Sequence, residues 1–539
     1  MNQASQSIDS IDKPLRRTRW MSLFTKAWTV PAMIGVLLIA RAAWHMFVSD
    51  LNLLEDEAHY WEWSRRIDWS YYSKGPGVAW SIWASTRLFG GSEWAIRLPA
   101  IVSTAIGMLG AAKAAQWAFP DRPELRATSA LLYALVPGFA ISSMIMTIDA
   151  PYVSCWMWAS AFALRAIQTG STKVWAAFGI TIAIGFLFKY TILLLLPGVI
   201  LAALLTRSRR RDIRPMGLAT AGLLASIGLV PVLIWNAGRD WPTVRHLLGH
   251  LGMRGGDIAT TNGHWSALWL PEFLVVQGFV SGPVILLAAF GWLRVRNNNH
   301  DVTRTAFQIL GSLAVPIYVF YLAVSLKTQT EGNWAMAGAA TLSPLAAWTV
   351  LDGVQRTKHT IRFLWGASIV GGTICILMFP GMRFLSERRV IGPLVPLYRF
   401  TGMHEHAAAA STQLEQIQSS TGLRPFVLSS HYGRASQLAY YLPGQPTVYC
   451  ASPMLGGRKT QYDLWSDTAL SDPKVIQELL GRPALLFGGT AEQWSTGFDT
   501  VRDIGPLLGE PKPDQRSTFI AAGFNGFPIH HNDASAGGE

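Results

Sequence analysis

About eleven apolar runs, each long enough to cross a bilayer core of roughly 30 Å as a helix, follow one another between Trp28 and Pro380. Charged residues make up only 14% of the 539 residues, whereas soluble proteins carry about 25%. The 23 tryptophans are typical of chains whose aromatic side chains lie at membrane interfaces. These features predict a mainly α-helical polytopic membrane protein and exclude a wholly soluble protein.

The predicted loops alternate in charge, because basic residues gather after every even-numbered apolar run. The positive-inside rule places such loops in the cytoplasm, and residues 1–27 are then a cytoplasmic segment before an uncleaved first span. The net charge of +12 is explained by this topology, so we expect membrane lipids and no nucleic acid as partners. The richest basic loop contains Arg207, Arg209, Arg210, Arg211 and Arg214.

The chain changes character after Gly381, where the apolar runs become short. Three of them are typical of strands, and helix-like stretches such as Arg434–Tyr441 and Pro473–Leu480 lie between them. We therefore predict a transmembrane domain over residues 28–381 and a small α/β domain over residues 382–539, on the non-cytoplasmic side. The predicted strands are Phe426–Ser429, Thr447–Cys450 and Ala484–Phe487.

The first outer loop, residues 50–98, carries the densest polar pattern. Glu55, Asp56 and Glu57 are consecutive carboxylates at a membrane face, where charge is costly unless it is solvated or used. They either stabilise the start of a helix or take part in function. The aromatic residues that follow are either an interfacial belt or part of a helix that lies along the membrane beside a binding cavity.

Short motifs along most of the chain, in this order, resemble the bacterial dolichyl-phosphate-mannose–protein mannosyltransferase-like family. This is the family 39 and RgtA/B/C/D-like group of the GT-C superfamily, which is related to the lipid A aminoarabinose transferases. The motifs are Asp56-Glu57-Ala58-His59-Tyr60-Trp61, Tyr71-Tyr72-Ser73-Lys74-Gly75-Pro76-Gly77, Arg97-Leu98-Pro99, Thr147-Ile148-Asp149-Ala150-Pro151, Phe188-Lys189-Tyr190-Thr191, Trp235-Asn236, Glu331-Gly332-Asn333-Trp334, Gln437-Leu438-Ala439-Tyr440-Tyr441 and Gln461-Tyr462-Asp463-Leu464-Trp465.

The resemblance implies a GT-C fold and transfer of a sugar from a polyprenyl-phosphate donor to a lipid, glycan or protein acceptor. It also implies a bacterial inner membrane, with the active site and the C-terminal domain on the periplasmic side. One departure concerns the first outer loop, where relatives commonly have two prolines and this chain has Gly75-Pro76. We expect the glycine to make that turn more flexible.

The resemblance implies roles for three of the carboxylates, those of Asp56, Glu57 and Asp149. Asp56 matches the family's catalytic carboxylate and is expected to be the base of an inverting single displacement, with Glu57 as the second candidate. Asp149 matches an aspartate that faces the same cavity in relatives. Its competing interpretation is an N-cap for the fourth span, and both interpretations stay open.

A leaving phosphate requires cations. Lys74 and then Lys189 are the first candidates, and Lys327 and Arg97 are weaker ones. Lys189 lies in an almost continuous apolar stretch, so its competing interpretation is snorkelling to the outer interface. The candidates for substrate binding are His59, Tyr60, Tyr72, Glu331 and Asn333.

No cofactor is expected. The 3 cysteines have no metal-ligand spacing, and in enzymes of this type Lys and Arg can hold the lipid phosphate, although a divalent metal is not excluded. The histidines of the long outer loop, His246, His250 and His264, are interpreted as polar surface.

Two other functions compete with sugar transfer. A transporter is the default for a many-span chain, but here the ionisable residues gather in outer loops rather than at mid-membrane. A noncatalytic assembly subunit with the same fold is the third hypothesis, and the intact Asp56, Asp149 and Lys189 matches argue against it.

Overall fold

A computed structural model provides the structure, and most of it is helical. It describes residues 19–206, 214–251, 253, 255–257, 266–296, 301–355, 359–389, 392, 395–509 and 517–528. Most of the N-terminal segment, His264 and the predicted loop arginines between 207 and 211 lie outside the described residues. Up to Ser386 the helices are α1 (Arg19–Phe24), α2 (Thr29–Phe47), α3 (Glu55–Arg65), α4 (Gly77–Phe89), α5 (Glu93–Ala118), α6 (Glu124–Leu135), α7 (Pro137–Ser142), α8 (Asp149–Thr169), α9 (Thr172–Phe186), α10 (Leu195–Leu205), α11 (Pro215–Ser226), α12 (Leu229–Ala237), α13 (Pro242–His250), α14 (Trp269–Val280), α15 (Val284–Val295), α16 (Asp301–Val324), α17 (Ala337–Gln355) and α18 (His359–Ser386), with a 3₁₀ helix at Tyr190–Leu194.

Helix length and hydropathy identify an integral membrane protein. Within the described residues, α2, α5, α16 (from Val302) and α18 are each long and apolar enough to cross a bilayer. The pairs α11–α12 and α14–α15 bring the number to six if each is one span, with bends of 44° and 89°. The expected number of about eleven spans therefore stays a prediction.

The membrane helices approach one another closely where their residues are small. A Cβ atom added to Gly179 of α9 would lie 2.4 Å from the carbonyl oxygen of Ala221 in α11. Gly228, at the break between α11 and α12, has the same relation to Ala183 of α9. Since lipid tails are as apolar as the side chains, such close backbone contact is a main source of helix association in membranes.

The C-terminal part is the predicted α/β domain. Its helices are α19 (Met403–Thr421), α20 (Tyr432–Tyr441), α21 (Pro473–Leu479) and α22 (Ala491–Trp494), with 3₁₀ helices at Leu397–Arg399, Pro453–Leu455 and Gln461–Asp463. Its strands are β1 (Phe426–Ser429), β2 (Val448–Cys450), β3 (Ala484–Phe487), β4 (Phe498–Gly505) and β5 (Thr518–Phe524).

The strands form one mixed sheet in the order β2-β1-β3-β5-β4. β1 pairs with β2 and β3 in parallel, and β5 pairs with β3 and β4 antiparallel. The three predicted strands are confirmed. The strands β4 and β5 were not predicted, and in β4 exposed polar residues interrupt the apolar pattern. The helix α18 continues to Ser386, beyond Gly381, and the domain boundary stays a prediction.

The α9–α11 contact predicts that alanine substitutions at two glycines affect the midpoint of thermal unfolding differently. Gly179→Ala should lower the midpoint of thermal unfolding, because its methyl group would meet the Ala221 backbone. Gly222→Ala, in α11 with no atom within 4 Å of the added carbon, should leave the midpoint unchanged or raise it, since alanine favours a helix by about 1 kcal/mol. Thermal unfolding of both variants in one detergent measures this, and equal shifts would show that the contact is not tight.

Candidate functional site

The first outer loop, the segments around Asp149, Lys189 and Asn333, and the C-terminal domain enclose a polar cavity of about 460 Å³. Nine of the twelve predicted site residues line it. They are Asp56, His59, Tyr60, Tyr72, Lys74, Asp149, Lys189, Glu331 and Asn333.

Asp56 lies in the first turn of α3 and faces the cavity. Its side chain is exposed to the cavity space, and the hydroxyl of Tyr432 donates to Oδ1 at 3.4 Å. Partial desolvation by the surrounding protein, together with the neighbouring Glu55, raises the pKa of Asp56. A carboxylate with a raised pKa and few hydrogen bonds is suited to accepting a proton.

Lys74 reaches the cavity from the loop between α3 and α4. Gly75 lets this loop touch the chain just before Lys189, because a Cβ there would lie 2.4 Å from the carbonyl oxygen of Leu187. Gly77 N donates to the same oxygen at 3.0 Å. Gly75 thus stands where a side chain has no room, and it brings two basic segments together.

Burial first, and then the charge of Lys189, lower the pKa of Lys74 to about 8. Two cations that face one cavity disfavour each other's charged form. An anion bound between them would stabilise both, so the site is prepared for a negatively charged ligand.

Asp149 holds Lys189 in the cavity wall. Lys189 Nζ donates to Asp149 Oδ1 at 3.2 Å, and Asn333 Nδ2 donates to Oδ2 at 2.7 Å. Both charged side chains are nearly buried, at 5% and 9% exposure. Ile148, not Asp149, occupies the N-cap of α8, so the N-cap interpretation is wrong, and Lys189 is paired rather than snorkelling.

Glu57, Arg97 and Lys327 lie outside the cavity lining. The carboxylate of Glu57 is fully buried and accepts hydrogen bonds from Leu54 N, Met146 N and the guanidinium of Arg97. Arg97 donates its remaining hydrogen bonds to the carbonyls of Leu51 and Asn52. This saturated ion pair fixes the first outer loop, and Lys327 is exposed elsewhere.

His59 connects α3 to the C-terminal domain. Trp63 Nε1 donates to His59 Nε2 at 3.1 Å, which leaves His59 Nδ1 to donate to Ser436 Oγ at 3.0 Å. Burial lowers the pKa of His59 to about 3, so the ring is neutral. Its neighbour Tyr60 is also buried in this wall.

The C-terminal domain supplies cavity residues that the sequence did not reveal. They lie roughly 350 residues or more from Asp56, and the only local signal is the basic pair Arg458-Lys459 after two glycines. The interpretation of the loop histidines as polar surface is wrong for His246, which is 2% exposed and lines the cavity. The unpredicted lining residues include His246, His250, Trp334, Arg399, Tyr432, Arg458, Lys459 and Gln461.

The cavity lining is predominantly basic, with five Lys or Arg side chains against three carboxylates. Within the described part of the chain, no group of three or more His, Cys, Asp and Glu side chains could hold a metal ion. The arrangement places a carboxylate, which can accept a proton, in one cavity with two lysines, which can stabilise an anion.

The two adjacent carboxylates Asp56 and Glu57 should differ in their effect on stability. Glu57→Gln leaves Arg97 buried without a counter-charge, which should cost about 3–5 kcal/mol and lower the thermal midpoint clearly. Asp56→Asn removes only a weak contact and should change stability by less than about 0.5 kcal/mol. The two midpoints in detergent test this assignment, and a larger loss for Asp56→Asn would contradict it.

Comparison with known proteins gives one family match and one curated relative. Residues 73–235 match the family described as dolichyl-phosphate-mannose-protein mannosyltransferase. The lipid A galacturonosyltransferase RgtD of Rhizobium johnstonii is 30% identical over 331 residues, 58% of this chain. The matched region spans 64% of the length of that relative.

Solved structures of ArnT from Cupriavidus metallidurans are similar over almost the whole chain. The structure bound to undecaprenyl phosphate is 17% identical, with 92% of this chain and 98% of that chain covered and a TM-score of 0.60. The apo structure is also 17% identical, with 93% and 97% covered and a TM-score of 0.57. The chain therefore has the GT-C fold of ArnT, and the resemblance inferred from the motifs is confirmed.

Proposed function

We propose that this protein is a membrane glycosyltransferase that moves a sugar from a polyprenyl-phosphate donor to an acceptor of the cell envelope. The observation that carries the proposal is the cavity in which Asp56 faces Lys74 and the Asp149-bound Lys189. A transporter has no need of a proton acceptor beside an anion site at one face of the membrane. The family match and the ArnT fold support the same activity.

The proposed reaction is a single displacement with inversion. Asp56 takes the proton of the acceptor hydroxyl, whose oxygen attacks the anomeric carbon of the sugar. The bond between that carbon and the phosphate oxygen breaks, and polyprenyl phosphate leaves with the electron pair. Lys74 and Lys189 stabilise the charge on the leaving phosphate, while Asp149 and Asn333 hold Lys189 in place.

We place the protein in a bacterial inner membrane, with the cavity and the C-terminal domain facing the periplasm. The positive-inside pattern of the loops supports this orientation. The carrier is then undecaprenyl phosphate, which occupies one of the ArnT structures. The acceptor is lipid A or another glycolipid, a polysaccharide or a protein, and the name of RgtD makes lipid A the first to test.

The donor sugar we propose is a uronic acid. RgtD is a galacturonosyltransferase, and galacturonate adds a carboxylate to the charge of the lipid phosphate. Arg399 and Arg458 bring positive charge beyond the two lysines assigned to the phosphate. A neutral sugar would leave this surplus without a partner in the substrate.

Transfer by purified protein in nanodiscs tests the function. Wild type should move radiolabel from one undecaprenyl-phosphate sugar of a panel, galacturonate included, to lipid A or another envelope fraction. Asp56→Asn should lower kcat by about 10²–10⁴-fold while donor binding persists. Equal transfer by both proteins would remove Asp56 from the mechanism, and no transfer of any donor by wild type would overturn the proposed activity.

The raised pKa of Asp56 should appear in the pH profile of transfer. Because the base must be ionised, kcat/KM should fall as the pH drops through the raised pKa, at a pH above the ordinary aspartate range of about 4. Steady-state rates between pH 4 and 8 measure the acid limb. An acid limb at or below pH 4 would contradict the desolvated setting of this carboxylate.

Donor binding should respond to alkaline pH through Lys74. Only the protonated amine attracts the phosphate, so affinity for undecaprenyl phosphate should be nearly constant between about pH 7, where the phosphate is already mostly a dianion, and pH 8. It should fall by up to about tenfold per pH unit as the pH rises through the lowered pKa of about 8.

The matched variants for this experiment are Lys74→Arg and Lys327→Met. The arginine stays charged across the range and should remove the pH dependence above 8. The exposed Lys327 lies outside the cavity, so its variant should behave as wild type. A fall in affinity that persists in Lys74→Arg would assign the titration to another group.

A further inference from the structure

A chain of polar side chains crosses the cavity wall from Tyr72 to His250. The hydroxyl of Tyr72 donates to Oδ2 of Asp257, and Asp257 Oδ1 lies 3.6 Å from His246 Nδ1. The Nε2 atoms of His246 and His250 lie 3.1 Å apart. Both histidines belong to α13, and their spacing of four residues puts them on one face of the helix.

This geometry determines which ring nitrogens carry protons. Within the described residues, His246 Nδ1 and Asp257 Oδ1 are buried and have no hydrogen-bond partner closer than each other. A proton on His246 Nδ1 therefore faces the carboxylate, and His246 Nε2 becomes an acceptor. His250 must then donate through its Nε2, which leaves its Nδ1 with a free lone pair.

Burial keeps both rings neutral. It lowers the pKa of His246 and, with the neighbouring His246, lowers the pKa of His250 to about 3. The charges of Lys74 and Arg458 act in the same direction on both histidines, whereas Asp257 opposes them. Burial raises the pKa of Asp257, but the nearby His246 and the hydrogen bond from Tyr72 outweigh it, so the pKa is lowered and the carboxylate stays ionised.

The position of His250 indicates what it contacts. Its ring packs edge-on against Trp334, with 5.6 Å between centroids, and Trp334 follows the Asn333 that binds Asp149. Tyr72, the other end of this series of polar side chains, lies two residues before Lys74 in the sequence. His250 therefore lines the same cavity as Lys74 and Lys189, beside Trp334, and we expect a group attached to a bound phosphate to reach it.

We propose that His250 accepts, through Nδ1, a hydrogen bond from a hydroxyl of the donor sugar, and that Tyr72, Asp257 and His246 are positioning residues that fix its tautomer. The cavity is rich in cationic donors, and a sugar hydroxyl that donates a hydrogen bond needs an acceptor. A neutral acceptor serves this purpose without competing with the phosphate for the cations, as a carboxylate would. This inference rests on the proposed function, because it assumes that the phosphate carries a sugar.

Binding of two probes separates this role from the rest of the site. The probes are undecaprenyl phosphate and undecaprenyl-phosphate galacturonic acid, titrated into wild type and His250→Phe in nanodiscs. The variant keeps an aromatic ring but loses both nitrogens. It should bind undecaprenyl phosphate within twofold of wild type and the sugar-bearing lipid about tenfold more weakly, as expected for one buried hydrogen bond.

Two further variants distinguish hydrogen bonding from packing. His250→Gln retains an acceptor oxygen and should recover part of the lost affinity. His359→Gln, an exposed histidine at the start of α18, is the matched control and should bind both lipids as wild type does.

The positioning role of Asp257 has its own readout. Asp257→Asn should weaken only the sugar-bearing lipid, and its effect should not add to that of His250→Phe in the double variant, since both remove the same hydrogen bond. Additive losses would assign Asp257 a separate role and overturn its proposed part in fixing the tautomer of His250.

The remaining outcomes distinguish failure of the proposed sugar contact from failure of the proposed function. If His250→Phe binds both lipids as wild type does, or loses both equally, the sugar contact is overturned while the proposed function stands. If wild type binds neither lipid, the proposed function itself fails.

Discussion

The buried ion pair between Glu57 and Arg97 is the interaction on which the site depends. It joins the first outer loop to α5, and both side chains are saturated by hydrogen bonds to each other and to the backbone. In a low-dielectric setting such a pair tolerates little displacement, because any lost hydrogen bond leaves a buried charge exposed to apolar surroundings. The residue before Glu57 is Asp56, so fixing Glu57 in the protein directs Asp56 towards the cavity.

Contacts within the protein also hold the basic side of the cavity in place, although less firmly than the ion pair holds the first outer loop. Lys74 and Lys189 repel each other, and contact between the Gly75 turn and the Leu187 backbone brings their segments together despite this. Asp149 compensates Lys189, whereas the pKa of Lys74 stays lowered. The site therefore holds unbalanced positive charge before any ligand arrives, which is the electrostatic preorganisation that stabilises a leaving anion.

What the sequence could predict depends on how local the signal was. Asp56, Asp149 and Lys189 lie in compact motifs, and the structure brings them to one cavity. The resemblance ranked Asp56 before Glu57, but the residue pattern alone could not separate them. Adjacent residues of a helix differ by about 100° in direction, and nothing in the pattern says which direction is buried. The span count stays a prediction, since breaks at Gly228 and Gly282 divide two of the apolar runs into short bent helices.

The cavity wall that was hardest to predict is the one built by distant chain segments. Ser436 and Tyr432 of α20 bind His59 and Asp56 of α3, and Gln461 accepts a hydrogen bond from Tyr72 N at 2.6 Å. Arg66 of the outer loop also pairs with Asp467. Each contact joins the C-terminal domain to the segment that bears the catalytic candidates, so this domain is part of the cavity rather than an appendage. A change in its sequence can therefore alter which substrate the cavity accepts while the base and the lysine pair remain in place.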